Sequence, residues 1–198
     1  MKIKLITWLA ALSTTLVSTL AAAAIVTYDL RGYGGSLGNQ HTFSAGGHDM
    51  LAGAKVWGGG NWHAQGSLYQ NGGWGLGVKS HWGDSTQLDG ANRKEMIEFS
   101  FDSTVKLVGA WFTSMSWNDD YDLTVYNNGS WTKKKNDARY FSGAYQGSKF
   151  RFYADHSSDD FYIKKLRFHM PTAVPEPASL AILGLGLVAL GFSRRAAR

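Results

Sequence analysis

The chain has 198 residues, room for one ordinary domain or two small ones, and carries 20 Lys+Arg against 15 Asp+Glu. Lys2, Lys4, Arg194, Arg195 and Arg198 hold the excess at the two ends, where only Glu176 offsets them. The body between Ile25 and Met170 is therefore nearly neutral, and a nucleic-acid partner loses its main electrostatic support. The absence of cysteine excludes disulfides, zinc–cysteine sites, iron–sulfur clusters and thiol catalysis. Twenty-four glycines, three prolines and an aromatic content of 14% point to tight turns and aromatic strands, not to a helical bundle.

In chain order, residues 1–24 read as a secretory signal peptide. Lys2 and Lys4 form its positive region, Leu5 to Leu20 is apolar but broken by Ser and Thr, and Ala21 to Ala24 are small enough for a peptidase pocket. Cleavage is expected after Ala23 or Ala24. The apolar run is too short and hydroxyl-rich for an uncleaved anchor.

Residues 25–170 are expected to fold as one domain. Gly32 to Gly38 and Gly58 to Gly77 are glycine-rich and predict long loops or short irregular strands. Beyond them the period is two. Ile97, Phe99 and Phe101 alternate with polar residues, then Val105, Leu107, Gly109 and Trp111, with Asp102-Ser103 as a hairpin turn between. Tyr121, Leu123 and Val125 lead into the hairpin signal Asn127-Asn128-Gly129. Phe150 and Phe152 flank Arg151. Phe161 and Ile163 are out of phase with Leu166 and Phe168, which predicts a bulge at Lys164-Lys165. Nothing in the body has a sustained helical period. The expected fold is all-β, an antiparallel, jelly-roll-like β-sandwich with helix confined mainly to the ends.

Residues 171–198 close the chain with Val174-Pro175-Glu176-Pro177, an apolar Ala178 to Phe192, and Arg194-Arg195. The two prolines stop a helix from running back into the domain. Fifteen residues of helix span about 22 Å at 1.5 Å per residue, short for a hydrocarbon core of about 30 Å. These parts, in this order, resemble the C-terminal sorting signal of PEP-CTERM proteins. The resemblance implies a short membrane helix at about 178–192, recognised and removed by the membrane protease-transpeptidase exosortase. It also implies export in Gram-negative bacteria that make extracellular polysaccharide. Gly75 to Val78, Gly83 to Gly90, Glu95 and Phe99 are in addition similar to a core that recurs among PEP-CTERM sandwich proteins.

Motifs for catalysis find no support. Gly34-Gly35-Ser36-Leu37-Gly38 matches the nucleophile-elbow string, yet it lacks a preceding buried strand and a following helix, and a flexible loop is expected there. Glu95 and Glu98, three apart on a strand, point to opposite faces and cannot pair as glycosidase acids. Asn118, Asp119, Asp120 and Asp122, or Asp155 with Asp159 and Asp160, offer hard oxygens that suit structural calcium, although solvated loop acids are commoner. The scattered histidines argue against a transition-metal site. Lys133-Lys134-Lys135 suits a solvated strand edge that discourages pairing.

The tryptophans carry the sharper expectation. Trp57, Trp62, Trp74 and Trp82 lie in polar, glycine-rich surroundings, where flat rings can stack on sugars, while the commoner role of such rings is packing. Trp111 is expected in the core, nearly fully buried. The sequence thus predicts a non-enzymatic, exported surface or matrix protein without catalytic residues or a required cofactor. Its expected partners are an exosortase-type protease, the inner membrane in transit and extracellular polysaccharide. A secreted polysaccharide-active enzyme and a calcium-stiffened adhesin are the alternatives.

Overall fold

A computed structural model describes residues 24–171, and the alternation of this stretch is expressed as thirteen strands with no helix among the described residues. The expected signal peptide, the Pro-Glu-Pro signal with its arginines and the helix at 178–192 lie outside the described residues.

The strands are β1 (Ile25–Asp29), β2 (Gly35–Gly38), β3 (Gln40–Ala45), β4 (His48–Gly58), β5 (Asn61–His63), β6 (Ser67–Asn71) and β7 (Gly75–Lys79), then β8 (Leu88–Asp89), β9 (Glu95–Thr113), β10 (Tyr121–Asn127), β11 (Ser130–Ala138), β12 (Tyr145–Ala154) and β13 (Asp160–His169). All belong to one antiparallel network. The long β9 is its hub. Its first half lies between β4 and β12, and its second half pairs with β13. Beyond β12 come β10 and the edge strand β11; beyond β13 come β1 along one stretch and β7, β6 and β2 along another.

The core fills because inward positions are almost all apolar. Ile97 and Phe99 of β9 face Phe152 and Phe150 of β12, and all four are fully buried. Rings also meet across strands that share no hydrogen bonds. Phe150 of β12 lies 5.3 Å from Phe168 of β13, and Tyr28 of β1 lies 6.1 Å from Phe101 of β9. Each such ring adds about 1.5–3 kcal/mol on burial.

Asn128 and Gly129 form the two-residue turn between β10 and β11, both at positive φ (50° and 82°). That combination defines the hairpin turn whose twist matches its strands, and Asn-Gly adopts it with the least strain.

Three expectations need correction. Asp102-Ser103 is not a hairpin turn: β9 runs through it, with a register shift against β12 between the Gly147–Val105 and Lys149–Ser100 pairs that absorbs the extra residues. Gly35–Gly38 is not a loop but a short strand paired with β6. Trp111 is not buried; it is 40% exposed. The cause is a bulge. Leu107 pairs with Phe168 and Gly109 with Arg167, leaving Val108 as an extra residue. One extra residue reverses the facing of everything after it. Ala110 and Phe112 then face inward opposite Leu166 and Ile163, and Trp111 lies outward beside Arg167, whose guanidinium is 4.9 Å from the ring centre. The expected irregularity in β13 is present, a register shift between Ile163 and Lys165.

Candidate functional site

The outer face of β5, β4, β9, β12, β10 and β11 carries a cavity of about 310 Å³ lined by Trp57, Trp62, Lys94, Met96, Thr124, Trp131, Arg151, Tyr153 and Asp155. Strand register assembles it. Trp57 and Trp62 face each other across the β4–β5 hairpin, Met96 stands opposite Tyr153, and Thr124 opposite Arg151. Trp131 enters from the far edge, where the Asn-Gly turn sets it against Tyr126.

The rings hold one another on edge. Trp57 and Trp62 lie 5.4 Å apart at 72°, and Trp62 and Tyr153 5.7 Å apart at 64°. Cations sit over the others: Arg151 is 3.5 Å from the centre of the Trp131 ring, and Lys133 is 5.8 Å from that of Tyr153. Arg151 is itself fixed from behind. Glu98 accepts hydrogen bonds from Arg151 Nε (2.6 Å) and Lys55 Nζ (2.8 Å). Burial raises the Glu98 carboxyl, but the two cations outweigh it and hold the group below its ordinary range. The result is a row of rings packed edge to edge, with cations over two of them.

Of the tryptophans singled out in the sequence, the structure brings Trp57 and Trp62 together here, with Trp57 about two-fifths exposed. Trp74 and Trp82 do not line this groove. Trp74 is half-exposed, with its carbonyl accepting a hydrogen bond from Thr113, and Trp82 stands almost wholly in solvent. Sequence reasoning missed Trp131, Arg151 and Tyr153. The Asn-Gly turn was a signal for Trp131, since extending its register outward lays Trp131 on Tyr126. A second cavity, about 360 Å³, lies beside Trp111, Met115, Arg139 and Tyr140.

The loop acids are gathered at one end. Asp120 and Asp159 approach His156, and so do Asp137 and Asp155, with His156 Nδ1 3.1 Å from Asp155 Oδ1. Burial first, then Asp159 and Asp137, push the Asp120 carboxyl up to about 6. Asp122 leaves this group to pair with Lys133 at 3.1 Å, Asp119 accepts the Ser116 amide, and Asp160 accepts from Gln87 at 2.9 Å. The expected oxygen cluster thus becomes a mixed carboxylate–imidazole group. Glu95 and Glu98 point to opposite faces: Glu95 is fully buried, and Glu98 lies outward among its cations.

Comparison with known families adds one finding. Residues 173–195 match the PEP-CTERM protein-sorting motif. The motif implies an exported protein that passes transiently through the membrane and is processed by exosortase, a membrane protein. It speaks for the tail alone. No curated protein and no solved structure gives a significant match to the chain.

Proposed function

We propose that the chain is a non-enzymatic cell-surface or matrix protein of a Gram-negative bacterium that binds extracellular polysaccharide in the Trp57–Trp62–Tyr153–Trp131 groove. One observation carries this reading: three tryptophans and a tyrosine from separate strands line one cavity of about 310 Å³, together with the polar side chains of Lys94, Arg151 and Asp155. That volume is at the lower end for ligand sites, the size of a short stretch of sugar chain and not of a whole folded partner. On this reading residues 1–24 are removed, 25–170 form a jelly-roll-like sandwich, and 171–198 deliver it. The ring contacts between strands that share no hydrogen bonds support the sandwich.

The two glutamates favour binding over hydrolysis. A glycosidase needs a protonated acid at the scissile bond and a second carboxylate facing it. Glu98 is held ionised between Lys55 and Arg151, and Glu95 is buried on the far face. The test is binding of the exported protein to its host's matrix polysaccharide. Trp57→Ala with Trp131→Ala should weaken binding roughly 5- to 150-fold, from two contacts at about 0.5–1.5 kcal/mol each. Trp82→Ala should leave it unchanged. Equal binding by the double variant and the native protein would sink the groove as the site.

A further inference from the structure

Glu95 opens β9 with its side chain turned inward, between Lys94 and Met96, which line the groove. It stands beside two more acids. Asp84 lies in the segment between β7 and β8, and Asp89 on β8. The exposure of the three is 0% for Glu95, 5% for Asp89 and 4% for the Asp84 side chain. One carboxylate oxygen of each lies within 4.8 Å of the other two.

Their hydrogen bonds leave the group incomplete. Ser80 donates its amide (2.7 Å) and hydroxyl (2.6 Å) to Asp84 Oδ2. Ser85 Oγ donates to Asp89 Oδ2 (2.7 Å), and the Ala91 amide to Asp89 Oδ1 (3.1 Å). The Asp89 amide donates to Glu95 Oε2 (3.2 Å). Glu95 Oε1 is buried with no hydrogen-bond partner. Among the described residues no lysine or arginine forms an ion pair with any of the three. His81 comes within 3.6 Å of Asp84 from a half-exposed position.

Three carboxylates packed this closely out of water repel one another, and each buried charge left uncompensated is strongly unfavourable. A proton or a cation must relieve them. A proton on one of the three still leaves two buried carboxylates side by side. One divalent cation answers all three.

We propose that Asp84, Asp89 and Glu95 form a calcium site that rivets the segment 80–89 to the start of β9. The donor chemistry selects the ion. All three side chains offer hard oxygens, and the hydroxyls of Ser80 and Ser85 lie directly behind them. Oxygens bound to one calcium at 2.3–2.6 Å stand at most about 5 Å apart, which matches the observed spacing. Magnesium keeps several waters and demands a stricter octahedron, for which a buried trio leaves little room. Gly90, next to Asp89, packs so tightly that a Cβ there would collide with the His156 carbonyl, so the backbone at this point cannot relax away. Filling the site fixes Glu95, and through Lys94 and Met96 one wall of the groove.

The test uses the full chain, purified in detergent and stripped with EDTA. Adding calcium chloride to a hundredfold excess over Kd should raise Tm by about 5–10 °C, and magnesium by less. Glu95→Gln and Asp84→Asn should each lose the calcium response, and Asp120→Asn, in the His156 group, should keep it. If Glu95→Gln does not fold, Asp84→Asn decides alone. No calcium response in the native chain overturns the proposal, and a native chain that is silent to calcium while Glu95→Gln is the more stable in EDTA shows that protons neutralise the trio. A response that persists in Asp84→Asn overturns it too, and one lost only in Asp120→Asn moves the ion to the His156 group.

Discussion

The two faces of the β9–β12 pair are built from alternate residues of the same two strands and differ sharply in chemistry. Inward stand Ile97, Phe99, Phe150 and Phe152, uncharged and fully buried. Outward, one residue along, stand Met96, Glu98, Arg151 and Tyr153. Inward rings touch rings: Phe99 meets Phe152 at 6.1 Å and 75°. Outward rings also touch cations, as Trp131 does with Arg151. The inner face thus holds the core and the outer face the proposed binding groove, and a slip of one residue would exchange them. Glu95 is the exception, a carboxyl on the inner side.

The comparison is tested hardest by removing an inward ring. Phe152 is fully buried and touches Phe99, Phe112 and Tyr121. Phe152→Ala should cost about 3–5 kcal/mol of unfolding free energy, measured by chemical denaturation. A loss under 1 kcal/mol would mean that this face is not the core.

The exception should reveal itself through pH. In EDTA, Glu95 goes from an ordinary 4.5 when unfolded to about 10 when folded. The folded state therefore binds its proton more tightly, and the stability this brings is complete below 4.5 and lost as pH rises toward 10. Asp120, raised from 3.8 to about 6, acts in the same direction over its own window. Glu98 acts oppositely: its folded value is lowered, so its contribution is present above the ordinary value and lost in acid. Tm in EDTA should peak near about pH 5 and decline toward pH 9. Calcium, taking the place of the proton, should flatten that decline. A Tm that climbs from pH 5 to 9 in EDTA would contradict the buried carboxyl.

On the outer face the effect should be smaller. Glu98→Ala leaves Lys55 and Arg151, both about one-fifth exposed, facing each other without their shared carboxylate. The expected loss is about 1–3 kcal/mol. Arg151, released from behind, should also lose its fixed position over Trp131, so polysaccharide binding should weaken in Glu98→Ala even where the protein stays folded. Retained binding would show that the Glu98 anchor does not set the groove.

How much of this was legible depends on whether a feature is local. Alternation located β10, β12, β13 and the two halves of β9, although it broke β9 with a turn that is not there; the Asn128-Gly129 turn follows from backbone sterics, and the irregularity near Lys164 followed from the phase of Phe161 against Phe168. The glycine-rich first third hid β2 and β6, since Gly35–Gly38 has almost no side chains to show a period. The groove was half legible. Trp57 and Trp62 are neighbours through a short hairpin, as Trp131 and Tyr126 are through another, whereas the pairing of β10 with β12 and of β12 with β9 that brings Trp131 and Tyr153 to the groove joins distant segments, which no local pattern encodes. The Asp84–Asp89–Glu95 trio was hidden for the same reason, being made by a loop folding under a strand.

Trp111 is the sharpest miss and gives the smallest predicted effect. Its parity with Val105 and Leu107 put it in the core, and only the extra Val108 turns it out. Outward it lies over Gly109, where a Cβ would collide with the indole, and against Arg167. What it contributes there is partial burial and one exposed cation–π contact, the latter about 0.5–1 kcal/mol. Trp111→Gln should therefore fold, bind as the native chain does, and lose only about 1 kcal/mol by chemical denaturation, because an outward position tolerates a polar amide. Phe112 is its inward counterpart, packed 4.5 Å from Tyr121 and 5.5 Å from Phe161. Phe112→Gln buries an amide among rings and should destabilise several times as much. If the two variants exchange their effects, the bulge at Val108 is not there and the strand runs in its unbroken register.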